Sequence, residues 1–462
     1  MKFDIKEEDM IIKPYNTPGP IYIREQKGFY QQIRRNLGWL LMLMLMFIAI
    51  PWIQYKGEQA VLLDVATQKF TIFGLTLLPQ DFMILALLFM VGAFALFFVT
   101  NWLGRVWCGY TCPQTIWMLM FSWVEQRIEG TRNQRIKLDK SPWSTLKWRK
   151  KITKHAAWLV ISLLTATSFM AYFIPAKSLY LEMFTLQWSG ITSFWVFLFA
   201  FCTYGNAGFL REKMCNVACP YSRFQSVMFD KDTLVVSYDA KRGENRGPRK
   251  RKADPKALNL GDCVDCNLCV EVCPAGIDIR NGLQYECINC GLCIDACDDT
   301  MDKFGYQKGL IKYASEKQLE GKKTNPFRLK LVGYGVLTGV LLISMIAWVL
   351  QRTPIEASVL RDRNALYRVN YEGLVENPYT LTIINKTQQP LHYGVAIEGL
   401  PVATLSAPSS ILVLPGVMKK IPVTVTADGY DIATKVTPVS FVITAVENPD
   451  IAITKTSQFY KN

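Results

Sequence analysis

Histidine is almost missing from this chain. Only His155 and His392 occur in 462 residues. A membrane b-type haem needs two facing histidines, and only His155 lies near an apolar run. No C-x2-C-H is present either, so haem is not expected. No G-x-G-x-x-G follows a strand-like run and there is no P-loop, so no dinucleotide or nucleoside triphosphate has a visible seat. Cysteine is missing locally. None of the 13 cysteines falls in residues 298–462. A chain that keeps thiols out of one whole region uses them for ligation or redox work, not for disulfides.

Acid is short as well: 38 Asp and Glu face 52 Lys and Arg, giving a formal net charge of +14 although half the residues are hydrophobic. The two properties coexist because they are segregated. Five apolar runs, 37–53, 82–102, 156–174, 191–210 and 329–350, are long enough to cross a bilayer, which takes about 20 residues. The first follows a long polar lead, so it reads as a retained span and not a cleaved signal. The basic residues set the orientation. Arg24, Lys27, Arg34 and Arg35 precede the first span. Arg127, Arg132, Arg135, Lys137, Lys140, Lys147, Arg149, Lys150, Lys151 and Lys154 crowd the loop between the second and third. By the positive-inside rule these segments are cytoplasmic and the chain beyond about residue 353 lies outside. The basic stretch 241–256, with Arg249, Lys250, Arg251 and Lys252, reads as a linker against anionic lipid and not as a nucleic-acid site.

What is abundant is cysteine in one place. Cys263, Cys266, Cys269 and Cys273 form C-x2-C-x2-C-x3-C, followed by Pro274. Cys287, Cys290, Cys293 and Cys297 repeat the pattern, with Asp298 where the second proline would stand. Structural zinc pairs its C-x2-C knuckles across a longer gap. The doubled run is instead the bacterial ferredoxin pattern, in which the fourth cysteine of each run ligates the other cluster. The expected [4Fe–4S] ligand sets are Cys263, Cys266, Cys269 and Cys297 for one cluster, and Cys287, Cys290, Cys293 and Cys273 for the other.

Two further pairs carry a different motif. Cys108 and Cys112-Pro113, and Cys215 and Cys219-Pro220, are both C-x3-C-P, each just past the cytoplasmic end of a span. On a helix, thiols at i and i+4 share one face. The proline marks a helix start or kink. Arg105, Arg211 and Lys213 are expected to lower the thiol pKa values. Soft thiolates suit Cu(I), so copper binding is one reading. A dithiol–disulfide couple, another metal centre and plain buried packing are the others. Cys202 reads as a packing residue, and Met42, Met44 and Met46 in the first span read as lipid-facing or packing residues.

The organisation expected is a cytoplasmic lead over 1–36, a four-helix membrane core over 37–210 and a basic connector over 211–254. A ferredoxin-like domain (α+β) covers 255–305 and a connector 306–328, and the fifth membrane helix spans 329–350. An all-β immunoglobulin-like sandwich over 356–462 completes the chain. Its strands read from β-branched runs at 380–384, 394–397, 411–414, 420–426 and 439–446, separated by Asn, Pro and Gly turns. No catalytic constellation is visible in it.

Gly104-Arg105-Val106-Trp107-Cys108-Gly109-Tyr110-Thr111-Cys112-Pro113-Gln114-Thr115, Cys215 through Cys219-Pro220-Tyr221-Ser222-Arg223-Phe224-Gln225, the doubled ferredoxin run, a last span and a β tail occur in that order. In this the chain resembles the CcoG/FixG/RdxA polyferredoxins, which are cytochrome c oxidase accessory proteins. Nitrate- and nitrous-oxide-linked membrane ferredoxins share the C-x3-C-P motif. The resemblance implies a multi-pass iron–sulfur protein of the bacterial cytoplasmic membrane with a periplasmic Ig-like domain. It also implies reduction of Cu(II) to Cu(I) for a cbb-type oxidase, with copper as substrate and oxidase assembly factors or copper chaperones as partners. The electron donor is another protein or a small molecule, and a homo-oligomer is compatible with the sequence. Two other functions fit the same residues: a quinol-linked conduit to a periplasmic reductase, and a redox-sensing assembly scaffold.

Overall fold

The computed structural model describes residues 21–461 apart from 56, 79, 80, 252, 254, 256, 257, 363–366, 388, 401, 431 and 433. Most of the N-terminal lead, Lys252 and Lys256 of the basic stretch, and position 462 therefore lie outside the described residues. The chain divides into two compact units. One comprises the residues up to Ile50 with Met90–Ala171 and Ala176–Leu341; the other comprises Pro51–Phe89, Tyr172–Pro175 and the region from Leu342 onward.

Among the described residues four helices are long and apolar enough to cross a membrane: Phe29–Trp52, Phe82–Leu103, Gly190–Leu210 and Leu329–Leu350. The second is apolar on every face, and Phe82, Leu88 and Phe89 stand exposed on it. A helix apolar all round needs burial in protein or lipid. The expected run 156–174 behaves differently. Its residues 156–170 fall in the helix Thr145–Met170, which starts on Ser144, whose side chain accepts the Lys147 N–H at 3.3 Å, and the rest forms the turn that follows. The first turns carry Lys147, Arg149, Lys150, Lys151 and Lys154, so the apolar part is only the far half of a longer helix.

Around the cysteine runs the fold reaches further than the cysteines do. Strand Val235–Tyr238 pairs antiparallel with Ile311–Ala314, Val235 opposite Ala314 and Tyr238 opposite Ile311. Short helices Leu268–Glu271 and Leu292–Phe304 lie between them in sequence. Val236, Ile279, Ile294, Met301, Leu310 and Ile311 form the buried core. The ferredoxin-like unit thus starts inside the region expected to be connector and ends beyond residue 305. Asp298, the departure from the repeated proline, has a use of its own: Oδ1 accepts the Gly309 N–H at 2.9 Å and fastens the chain after the helix.

The C-terminal unit is a two-sheet sandwich. One sheet orders Thr404–Ser406, Met418–Ala427, Val375–Asn385 and Ile355–Arg361, with Arg368–Val369 beside Val375–Asn385. The other orders Ile411–Val413, Leu391–Glu398, Val436–Ala445 and Ala452–Tyr460. Period-two burial builds the interior: Val439, Phe441, Ile443 and Ala445 all point in. Phe441 meets Tyr379 edge-on at 5.1 Å. All five expected strands are present. Ile355–Arg361 and Ala452–Tyr460 are additions, as is a meander of Val61–Asp64, Lys69–Ile72 and Leu75–Leu77. In the same unit buried Asp81 takes Arg352 at 2.6 Å and Lys386 at 3.0 Å.

Candidate iron–sulfur and thiol sites

The two halves of the doubled cysteine run share one backbone. Asp265 and Asn267 flank Cys266 with φ of 55° and 56°; Asn289 and Gly291 flank Cys290 with φ of 53° and 74°. Asn, Asp and Gly are the residues that enter this left-handed region most readily. Successive turns of this kind aim backbone N–H groups into a concavity that suits an anion.

The side chains separate into two groups of four. Cys263, Cys266, Cys269 and Cys297 line one small cavity. Cys273, Cys287, Cys290 and Cys293 line a second, which Cys269 also touches. Burial pushes Cys269 up to about 11, and Cys273 and Cys287 up to about 12. Four thiols line each cavity, which is the donor set of a [4Fe–4S] centre, and binding of such a centre displaces the protons that burial otherwise retains. Arg280 stands by the first group. It reaches Asp265 at 2.5 Å, Asn267 at 2.6 Å and Asp278 at 2.7 Å, and its charge acts on Cys269. Arg34 faces Cys290 and Arg105 faces Cys287 at the second group.

The C-x3-C-P segments also repeat one geometry. Cys108 sits in the short helix Val106–Tyr110, and Cys112 caps the helix Pro113–Glu129. Cys215 sits in the turn Met214–Ala218, and Cys219 caps the helix Pro220–Met228. Each proline starts a helix, where its missing N–H costs nothing. The thiols of a pair are therefore not i and i+4 on one helix. They flank a helix start. The two segments come together: Arg105 and Cys108 of the first reach the Ser222 carbonyl and Gln225 of the second, and the four thiols lie within electrostatic reach of one another.

The expected lowering is overturned at Cys108, Cys112 and Cys215. Burial pushes Cys108 and Cys215 up to about 12, and Arg105 opposes this without reversing it. Arg211 turns away to Glu125 at 2.5 Å. Cys112 is also raised by burial, against the N–H groups of Gln114 and Thr115 at its helix start. Among the described residues no three His, Cys, Asp or Glu side chains crowd closely enough to hold a single metal ion.

The two sites touch. A Cβ on Gly109 would stand 2.6 Å from the Ile288 carbonyl oxygen and 2.9 Å from the Cys290 Cα, so only glycine lets this segment lie on the cluster loop. Buried Arg105 donates to the Tyr285 carbonyl at 2.6 Å and to the Ser222 carbonyl, tying both thiol segments to the loop before Cys287. Ser222 and Gln225 of the second motif complete the contact, together with Asn289 and Tyr313, which no motif flagged. Gln225, fully buried, accepts from Cys108 Sγ at 3.2 Å. Ser222 Oγ donates to the Cys215 carbonyl at 2.7 Å. Asn289 Nδ2 donates to the Leu103 carbonyl at 3.3 Å, and its own carbonyl accepts from Tyr313. Buried hydrogen-bonding side chains of this sort carry no local sequence signal. Cys202 is exposed on its helix and joins neither site.

Comparison with known proteins fits this geometry. Residues 210–316 match a 4Fe-4S dicluster domain, 82–131 a 4Fe-4S binding domain and 345–462 the IG-like fold at the C-terminal of FixG. With the thiol-lined cavities, these define an iron–sulfur electron-transfer protein that is membrane-associated. Nitrogen fixation protein FixG of Rhizobium meliloti is 36% identical over 433 residues, covering 84% of this chain and 82% of that protein. Protein RdxA of Cereibacter sphaeroides is 38% identical over 400 residues, 83% of each chain. Protein RdxB of the same organism is 35% identical over 427 residues, 86% of this chain and 89% of its own. The chain belongs to the FixG family. A crystal structure of a FixG-related protein from Vibrio parahaemolyticus is 37% identical, covers 24% of this chain and 99% of its own, and has a TM-score of 0.23.

Proposed function

We propose that this protein is a cupric reductase of the cytoplasmic membrane, which converts Cu(II) to Cu(I) for assembly of a cbb-type cytochrome c oxidase. One observation carries the reading: Cys108, Cys112, Cys215 and Cys219 gather beside the loop of Cys287 and Cys290. The two cysteine groups would hold two [4Fe–4S] clusters, which supply electrons singly, as each Cu(II) requires. The chain's own residues do the rest. Sulfur prefers Cu(I) over Cu(II), so binding itself favours reduction. The bound ion displaces thiol protons that burial otherwise retains. Arg105 offsets the negative charge of the sulfurs. Two sulfurs suffice for Cu(I), so a crowded three-ligand site is not required.

The test is substitution by serine, which is nearly isosteric. Each of Cys108→Ser, Cys112→Ser, Cys215→Ser and Cys219→Ser should weaken Cu(I) binding about tenfold or more, a loss typical of damaged metal sites. Copper reduction by dithionite-prereduced protein should fall with it, while iron content stays constant. A quadruple variant that still binds and reduces copper would remove the reading. The match of 82–131 to a 4Fe-4S binding domain favours a second one, since that stretch includes Cys108 and Cys112. If the substitutions instead erase an additional iron EPR signal, the four sulfurs hold a third iron centre.

For topology we propose five spans, with the cysteine domain in the cytoplasm and the β-sandwich in the periplasm, where it docks assembly factors or copper chaperones. The basic residues ahead of the first helix and in 127–154 support this. A reporter that works only in the periplasm should be active when fused after residue 462 and silent when fused near residue 315. The reverse pattern would invert the arrangement.

A further inference from the structure

A second cavity lies near the Cys290 loop, and neither cysteine motif accounts for it. It encloses about 190 Å³ between the start of the first apolar helix and the helix Pro113–Glu129. Its lining includes Arg34, Trp39, Leu119, Ser122, Trp123 and Leu292. Trp39 and Trp123 meet edge-on at 5.9 Å. Arg35 and Arg127 stack over Trp39 and Trp123 at 5.9 and 5.3 Å. Arg34 is 8% exposed and Ser122 3%. Arg34 Nη2 is held by Gln31, but Arg34 Nη1 and Ser122 Oγ are buried and have no hydrogen-bond partner. Buried donors left without an acceptor are costly, more so when charged, so a pair of them in one cavity wall indicates a missing acceptor.

The ligand must be flat enough for an aromatic-walled slot, carry oxygen acceptors for Arg34 and Ser122, and arrive from the membrane. Leu40, Met44 and Leu45, on the same helix as Arg34 and Trp39, are exposed apolar residues that suit a lipid tail. Arg24, Arg34, Arg35 and Arg127 outnumber Glu25 among the lining charges. An oxygen that turns anionic as it loses its proton is stabilised there. Cationic neighbours also favour the reduced, more negative state of a cluster. Arg34 and Arg105 beside Cys290 and Cys287 therefore suit a centre able to accept electrons from a mild donor.

We propose that this cavity binds the ring of a membrane quinol, the small-molecule electron donor of the protein. Oxidation of one quinol to the quinone releases two protons, to water at the mouth beside Glu25, and two electrons, one to each iron–sulfur centre. This deepens the electron-transfer reading and is independent of what the four outer thiols do.

The experiment uses full-length, iron-loaded protein in nanodiscs. An azido-quinone photoprobe should label residues lining this cavity, and excess decyl-ubiquinone should compete it away. Arg34→Gln should weaken quinone binding at least about tenfold, as expected for losing a hydrogen bond to a charged group. Ser122→Leu, which fills the slot without changing charge, should abolish labelling. Both variants should keep the parent iron content, which separates lost binding from lost folding. Arg34→Gln should also lower the potential of the centre at Cys290, whereas Ser122→Leu should leave the cluster EPR on dithionite reduction as in the parent. Labelling elsewhere, or none in intact protein, overturns the proposal. So does an Arg34-dependent phosphatidylglycerol seen by native mass spectrometry with quinone binding unaffected, since the cavity is then a lipid-headgroup site. A failure of the copper assay by dithionite-reduced protein would count against the cupric reductase and leave the quinone result standing.

Discussion

Cys297→Ser is expected to remove the cluster of the other cysteine run, not of its own. The structure groups Cys297 with Cys263, Cys266 and Cys269, and Cys273 with Cys287, Cys290 and Cys293. The helix Leu292–Phe304 carries Cys293 to one group and, one turn further on the same face, Cys297 to the other. Each [4Fe–4S] centre contributes four irons, so iron should fall from about eight per chain to about four. The spin–spin broadening between two reduced centres should vanish, leaving one isolated signal. The identity of the survivor is the sharp part of the prediction. Cys297→Ser and Cys263→Ser should leave the same EPR signal, and Cys273→Ser and Cys287→Ser should leave the other. If Cys297→Ser instead matches Cys287→Ser, each run serves a single cluster and the grouping is wrong. Arg280→Gln provides a check with smaller disturbance, because Arg280 lines the first cavity and its charge acts on Cys269. It should lower the potential of one centre only.

Much of this site was legible because its ligands are close in sequence. Three cysteines within a loop of seven residues leave little freedom, and the left-handed positions at Asp265, Asn267, Asn289 and Gly291 carry residue types that accept it. The sandwich strands were legible for a related reason: alternation is a local signal. What was not legible depends on distant partners. Strand Val235–Tyr238 is four residues long, and its meaning comes only from Ile311–Ala314. Strand Ala452–Tyr460 has one side against Val436–Ala445 and a mostly polar, exposed face, so its apolar signal is weak. The thiol pKa values went the wrong way for the same cause. Arg105 is visible in the sequence, but the burial that outweighs it is a property of the packed structure. Likewise Arg211 adjoins Cys215 in the chain and is spent on Glu125 in the fold.

Glu125→Gln should be among the most destabilising single changes in the cysteine-bearing unit. Glu125 is 5% exposed and sits among three cations: Arg135 at 3.1 Å, Arg211 at 2.5 Å and Lys154 at 3.7 Å. Arg135 itself is 1% exposed and joins two distant segments, since it also donates to the Ile23 carbonyl. Lys154 keeps Glu129 at 3.0 Å as a second partner, so it is not stranded by the change. Arg135 and Arg211 lose their carboxylate. Breaking a buried ion pair by removing one partner typically costs about 3–5 kcal/mol, because an uncompensated charge stays behind. The expected result is a clearly lower unfolding temperature in detergent or nanodiscs, with incomplete cluster loading at growth temperature. A double-mutant cycle separates this from general damage. Arg135→Met added to Glu125→Gln should cost much less than the sum of the single changes, since the second substitution removes the charge that the first exposed. Strict additivity would mean that the carboxylate and the guanidinium act independently. The functional consequence follows from position. Arg211 lies four residues before Cys215, and its Nε donates to the Gly208 carbonyl at 2.8 Å, so it fixes the chain entering the second thiol pair. Freed from Glu125, that entry should loosen, and copper binding at the four sulfurs should fall even in the fraction of protein that keeps its iron.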